Sequence, residues 1–224
     1  STASPPDAER QICLGHGASP RWSPDGTRLA FLRSEDSRQQ IFLWEVATGR
    51  CTRLTHAAEP CAGPAWSPDG RSIAFVSLVP DPSPTAPEFT PNPLRNDAWA
   101  EAGRCTERLV RRVEGVTDRV RAGHHQVFLV STDGGDVRQL TDGPHDHGGP
   151  LAQTVKVVGI GRIAWAADGR SIVMSLNRDP VIPGAHAPAR TLNCDVYDYA
   201  VDDGRVTRLT DFGGAACNAA VSPD

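Results

Sequence analysis

A five-residue motif that returns along the chain is the feature that most restricts how this sequence can fold. Trp-Ser-Pro-Asp-Gly begins at Trp22 and at Trp66, returns with two alanines in place of Ser-Pro at Trp165, and starts again as Val-Ser-Pro-Asp at Val221. Proline presets the backbone for a turn, aspartate can bind the local backbone, and glycine accepts a positive φ. Each copy therefore predicts a tight turn between two strands. The structural repeat residues are Trp22, Pro24, Asp25, Gly26, Trp66, Pro68, Asp69, Gly70, Trp165, Asp168 and Gly169.

A second marker, Leu-Thr preceded by arginine or glutamine, alternates with the turn motif. It occurs at Leu54, Leu140 and Leu209. Leu54 precedes Trp66 by 12 positions, and Leu209 precedes Val221 by the same 12 positions. The two markers therefore belong to one repeating unit.

Large apolar residues alternate between the markers, as they do in half-buried β-strands. In the first unit, Leu29 and Phe31 follow the turn and are expected to face the same side of a sheet. A third strand is predicted at Gln40–Val46 and a fourth at Arg50–Thr55. Each unit therefore holds four antiparallel strands.

A repeated four-stranded unit is typical of a β-propeller blade, whereas a β-solenoid would need shorter repeats with parallel pairing. The predicted fold class is all-β, with about three blades and the start of a fourth in an incomplete ring, since propellers typically use about 4 to 8 blades. Blade edges left open invite self-association, so the ring is expected to continue in a longer parent polypeptide or in another chain. The blade units are expected at about 19–55, 63–141 with an insertion at 80–123, and 161–210, the next beginning near 217.

Composition excludes several classes of partner. The 23 basic and 27 acidic residues give a net charge of −4 without a basic stripe, so nucleic acid and anionic membranes are not expected partners. The apolar runs are far shorter than the ~20 residues that span a bilayer. The six cysteines form no Cys-x-x-Cys pair, which favours free buried thiols in a reducing compartment and leaves a disulfide open.

The insertions offer few candidate site residues. Arg111 and Arg112 lie in the 80–123 insertion and are weak candidates for binding a substrate carboxylate, against the simpler interpretation of a solvated strand. The run His145-Asp146-His147 resembles a metal-binding pattern, but the sequence offers no further protein ligand at a suitable spacing. A plain surface loop and no metal are therefore expected. The sequence lacks a Gly-x-Ser-x-Gly elbow and phosphate-binding glycine loops, so no catalytic residue and no cofactor are predicted.

The repeat pair resembles the propeller repeats of the TolB family and of prolyl oligopeptidase-family serine peptidases. The stretches 108–115, 125–130 and 133–141 look like the second-to-third blade region of acylaminoacyl-peptidase-like and dipeptidyl-peptidase-like members. In those peptidases the amino-terminal propeller caps an α/β-hydrolase domain, keeps large folded proteins from the active site and helps to read the peptide. The resemblance implies a parent serine peptidase whose hydrolase domain, with its serine, aspartate and histidine, lies outside this chain.

Two functions from different classes follow from the resemblance. The first is the gating and substrate-selecting propeller of a peptidase that hydrolyses short peptides. It implies a peptide substrate and a cytoplasmic location, and it leaves homo-oligomerisation open. The alternative is a noncatalytic, TolB-like propeller that binds proteins in the periplasm or outside the cell. A metal enzyme would need ligands repeated from blade to blade, and the sequence has none.

Overall fold

A computed structural model describes residues 16–80, 123–148, 163–176, 194–211, 216 and 219–222. All regular structure in these residues is β-strand, arranged as three antiparallel sheets of four strands each. The expected all-β fold of four-stranded blades is confirmed. A helix long and apolar enough to cross a membrane is not found in this part of the chain. The strands are β1 (Gly17–Trp22), β2 (Arg28–Glu35), β3 (Arg38–Glu45), β4 (Cys51–Arg53), β5 (Ala62–Trp66), β6 (Ser72–Pro80), β7 (Gly123–Ser131), β8 (Arg138–Gln139), β9 (Ala164–Trp165), β10 (Ser171–Leu176), β11 (Asp195–Ala200) and β12 (Val206–Arg208).

Each sheet is a meander in which consecutive strands pair. The orders are β1-β2-β3-β4, β5-β6-β7-β8 and β9-β10-β11-β12. The first strands of successive sheets lie beside one another, because β1 contacts β5 and β5 contacts β9. This is the arrangement of propeller blades around a centre, with the first strand of each blade innermost.

The sheets pack face to face through alternate side chains. Side chains of the first and second sheets, including Leu32, Ile41, Ile73 and Phe75, form one buried cluster. The other face of β6 contributes Val76 to a second cluster with residues of the third sheet. Leu29 and Phe31 fall in a separate cluster of the first sheet with Phe42 and Trp44, as the alternation predicts.

The turn motif connects the first two strands of every sheet, and it forms even where Ser-Pro is replaced. In the third copy the Gly169 amide donates to the Ala166 carbonyl at 2.9 Å, and Gly169 has φ +70°. Asp168 still accepts the Arg170 amide at 2.9 Å. Aspartate and glycine are therefore enough to make this turn, because they supply the acceptor and the positive φ.

The two ends of the sheets differ. One end, which we call the loop end, is where strands β2, β6 and β10 finish and strands β3, β7 and β11 begin. The opposite end, which we call the turn end, carries the Asp-Gly turns. Pro80 pairs with Gly123 at the loop end of the second sheet, and Leu176 pairs with Asp195 at the loop end of the third. His147 bridges to Leu176 beside them. The described residues that flank segments 81–122, 149–162 and 177–193 therefore lie at one end of the blades.

The described cysteines lie in two different environments. Cys61 and Cys194 are buried, as expected, whereas Cys51 is exposed on the outer strand of the first blade. Burial raises the pKa of the Cys61 thiol to about 11, because a thiolate would lose its hydration there. Cys13, Cys105 and Cys217 lie outside the described residues.

Candidate functional site at the loop end

The connection between the second and third blades folds back onto the start of β7. The His147 amide donates to the His125 carbonyl at 2.7 Å, and the Gly148 amide donates to the Ser175 carbonyl at 2.9 Å. His147 is only 6% exposed. The expectation of a plain surface loop is wrong at this point, because these backbone bonds draw the segment between two blades.

Asp146 lies between two histidines at the loop end. Its Oδ1 accepts the His125 amide at 2.8 Å and stands 3.3 Å from His125 Nδ1 and 3.9 Å from His124 Nδ1. The Asp146 side chain is 12% exposed and the two imidazoles are slightly more so. A carboxylate in this position can accept hydrogen bonds from the imidazoles or from a cationic group.

Metal binding has no geometric support in this cluster. Among the residues that the structure describes, no group of three His, Cys, Asp or Glu side chains is placed to hold a metal ion. His147 turns its Nδ1 to the His145 carbonyl at 3.1 Å rather than toward Asp146. The cluster is therefore a hydrogen-bonded anchor whose three side chains are mostly buried and keep only a small part of their surface in contact with solvent.

A glutamine and a threonine form a clamp under this anchor. The Thr141 hydroxyl donates to Gln126 Oε1 at 2.7 Å and accepts the Val127 amide at 2.9 Å. The Gln126 amide group donates to the carbonyls of Gly143 and His145 at 3.0 and 3.2 Å. The clamp therefore fixes the path of the chain from the outer strand of one blade to the inner strand of the next.

The same clamp occurs in all three blades and explains the Leu-Thr marker. In the first blade Thr55 bonds Gln40 at 2.9 Å, and in the third Thr210 bonds Asp195 at 3.1 Å. The partners are always 15 positions apart. Because Thr55 serves as this buried clamp, the fourth strand ends at Arg53 instead of continuing to Thr55 as predicted.

We expect the substitution Thr141→Val to lower the free energy of unfolding by about 1–3 kcal/mol. Valine fills the same space but leaves the buried Val127 amide without its acceptor and Gln126 Oε1 without its donor. Urea denaturation measures the loss. Thr52→Val on the exposed outer strand is the matched control and should change stability little, so equal effects of the two substitutions would contradict the clamp.

The aspartates of the turn motif lie at the opposite, turn end. Asp25 accepts hydrogen bonds from the Ser23 hydroxyl at 2.6 Å and from the Thr27 amide and hydroxyl at 3.0 and 2.9 Å. These donors lower the pKa of Asp25 to about 2, the Ser23 bond being the largest cause. The Ser67 hydroxyl likewise lowers the pKa of Asp69.

The substitution Asp25→Asn should change the acid dependence of stability. Since the pKa of Asp25 lies below its ordinary 3.8 in the folded protein, the carboxylate stabilises the fold above about pH 4 and loses this effect as the pH falls toward 2. The difference in free energy of unfolding between the wild type and Asp25→Asn should therefore shrink from pH 5 to pH 2. Chemical denaturation across this range tests it, and a constant difference would refute the assignment.

Arg111 and Arg112, the weak candidates for binding a substrate carboxylate, lie outside the described residues, so this hypothesis stays untested. The clamp glutamines were not identified from the sequence, and Asp146 was noted only as part of the His145–His147 run, for which a plain surface loop was expected. The signal for the clamp was present as the fixed spacing between Gln40 and Thr55 and between Gln126 and Thr141. The contacts of Asp146 could not be predicted from the sequence, because its partners, His124 and His125, come from a strand that is distant in the sequence.

Comparison with known proteins places the chain among β-propellers. Residues 10–79 match the family model of the TolB β-propeller domain. The uncharacterized peptidase YuxL of Bacillus subtilis is 25% identical over 164 residues, which are 70% of this chain and 17% of that protein.

Solved structures agree on the fold. The acylaminoacyl peptidase of Pyrococcus horikoshii superimposes with a TM-score of 0.55 at 20% identity, over 88% of this chain and 25% of that chain. A putative TolB from Agrobacterium tumefaciens gives a TM-score of 0.52 at 22% identity, over 89% of this chain and 52% of that chain. The chain thus spans only part of the length of each of these relatives, and it is a run of propeller blades similar to both peptidase propellers and TolB.

Proposed function

We propose that this chain is the gating and substrate-selecting propeller portion of a serine peptidase that hydrolyses short peptides, of the acylaminoacyl- or dipeptidyl-peptidase-like kind. The observation that carries the proposal is the 164-residue similarity to a peptidase, which is far longer than the 10–79 match to the TolB domain model. The catalytic serine, aspartate and histidine belong, in this proposal, to an α/β-hydrolase domain of the same polypeptide outside these residues.

The loop end is the face that we assign to substrate selection. The described residues that flank three insertions lie at this end of the blades. The anchor of Asp146 with His124 and His125 lies at the same end. Loops held on a rigid scaffold are the usual carriers of specificity. A partly exposed carboxylate at this position is suited to the free amino group of a short peptide. The free thiol at Cys61 accords with a cytoplasmic location.

The experiment uses the full-length parent protein and a fluorophosphonate probe, followed by hydrolysis assays with acylated and free aminoacyl chromogenic peptides. The expected result is labelling of one serine outside residues 1–224, with turnover of short peptides and none of a large folded protein. Alanine at the labelled serine is the control and should abolish turnover. Absence of both labelling and turnover would overturn the proposal.

A noncatalytic TolB-like propeller is the second candidate, favoured by the family model that matches residues 10–79. It predicts no serine labelling, and stable binding of another protein by the purified propeller. Affinity measurements against candidate partners, made alongside the probe experiment, separate the two functions. This alternative implies a periplasmic or secreted protein, so the two functions also differ in the cellular location that they imply.

A further inference from the structure

The three sheets differ on the face that each one turns toward the part of the chain that follows it. On the first sheet this face contributes to the cluster shared with the second sheet through Ala30, Leu32, Ile41 and Leu43. On the second sheet the same positions form or border the cluster shared with the third sheet, and they are Ala74, Val76, Val127 and Leu129. Both junctions between described blades are therefore closed by apolar packing.

The third sheet carries two polar residues on the corresponding face, which points away from the second sheet. The sheets are aligned by the residue of their second strand that pairs with the motif tryptophan. In this alignment Ser175 stands at the position of Val76 in the second sheet. Asp198, which pairs with Val173, stands at the position of Leu129. A hydroxyl and a carboxylate therefore replace two apolar side chains.

The Ser175 hydroxyl makes the packing of this face less favourable still. Ser175 is only 2% exposed, and within the part of the chain that the structure describes its Oγ has no hydrogen-bond partner. A buried hydroxyl that has lost water without gaining another partner favours any state in which water returns to it. Solvent entering at Ser175 therefore relieves an unpaired group, whereas solvent entering at Val76 would only wet a hydrocarbon.

The clamp of the third blade lacks a contact that the other clamps make. In the first blade the Gln40 side chain holds the connection to the second blade, because its Nε2 donates to the Ala57 carbonyl at 2.9 Å and its Oε1 accepts the Ala57 amide at 3.0 Å. The clamp residue of the third blade is Asp195, whose carboxylate has no N–H to donate to a carbonyl. It accepts hydrogen bonds from Arg208 and Thr210 of its own blade. The third clamp therefore cannot hold a following carbonyl as glutamine does.

We propose that the junction after the third blade is a hinge. The far face of the third sheet, which comprises Val173, Ser175, Val196 and Asp198, separates from the chain that follows it more readily than the first two junctions separate. Local opening starts where buried apolar contacts are fewest, and the polar replacements, the unpaired hydroxyl and the altered clamp all lie at this junction. The inference goes beyond the proposed function and holds equally for a peptidase and for a TolB-like binder.

The first test places a thiol at the same position of successive junctions in the full-length parent protein. Ser175→Cys reports on the third junction, and Val76→Cys and Leu32→Cys are its matched controls at the second and the first. Labelling by iodoacetamide under native conditions is followed peptide by peptide with mass spectrometry. The thiol at position 175 should react at least about tenfold faster than the other two. A rate no higher than that of Val76→Cys would overturn the proposal.

The second test restores the features of the other junctions. Asp198→Leu combined with Ser175→Cys should slow labelling at position 175 by about tenfold, because it returns the apolar side chain found there in the other sheets. Asp195→Gln restores the amide of the clamp, so it should slow labelling as well, and it serves where Asp198→Leu does not fold. Asp202→Leu on an exposed turn of the same blade is the matched control and should leave the rate unchanged. Unchanged labelling in both repaired proteins would refute the hinge.

Discussion

Replacing Phe75 by alanine should lower the free energy of unfolding by about 3–5 kcal/mol, because a large buried side chain is lost from between two blades. Phe75 is completely buried in the cluster shared by the first and second sheets. It also stacks on Phe128, with 5.6 Å between ring centroids. Urea denaturation followed by tryptophan fluorescence measures the loss.

Phe128→Ala is the matched control for Phe75→Ala. It removes the other ring of the same pair, which is only partly buried and packs at the border of the cluster. The expected loss is smaller, since less apolar surface returns to water. Equal losses for the two substitutions would mean that the ring pair, and not the packing between blades, sets the stability.

The second large effect is expected for Gly148→Ala, at about 2–4 kcal/mol of destabilisation from overpacking together with backbone strain. Gly148 has φ +58°, and a Cβ there would stand 2.5 Å from Ile163 Cγ2 and 3.2 Å from Val76 Cγ2. The added methyl group therefore forces the side chains of Ile163 and Val76 to shift where the second and third blades meet.

Gly49→Ala separates the two causes. Gly49 has φ +69°, but a Cβ at this position meets nothing within 4 Å. Its replacement should cost only the backbone penalty of about 1–2 kcal/mol. If Gly49→Ala destabilises the protein as much as Gly148→Ala, the contact between the blades at Gly148 contributes nothing.

The arrangement of these blades gives the protein two different ends. The turn end is closed by short turns in which aspartate and glycine satisfy the backbone locally, as at Asp25. The loop end carries the flanks of the insertions and the anchor of Asp146. If the loop end selects the substrate, as we propose, substitutions at the turn end should change stability and spare recognition, whereas substitutions at the loop end should change recognition and spare the sheets.

The sequence by itself determined the blades. The turn motif acts within about five residues, and the alternation of apolar side chains follows from the pleat of each strand, so both can be recognised without knowledge of distant contacts. The third turn formed although Ser-Pro was replaced, because Asp168 and Gly169 retain the acceptor and the positive φ.

Only the tertiary structure decided what joins the blades. The clamp of Gln126 with Thr141, the indole bond of Trp66 to Arg21, and the burial of His147 all depend on which strands lie side by side. A buried polar group must find a partner, but the sequence does not say which distant atom will stand within hydrogen-bonding distance. For this reason the repeat predicted the fold, while the anchor at the loop end became visible only when the blades were assembled.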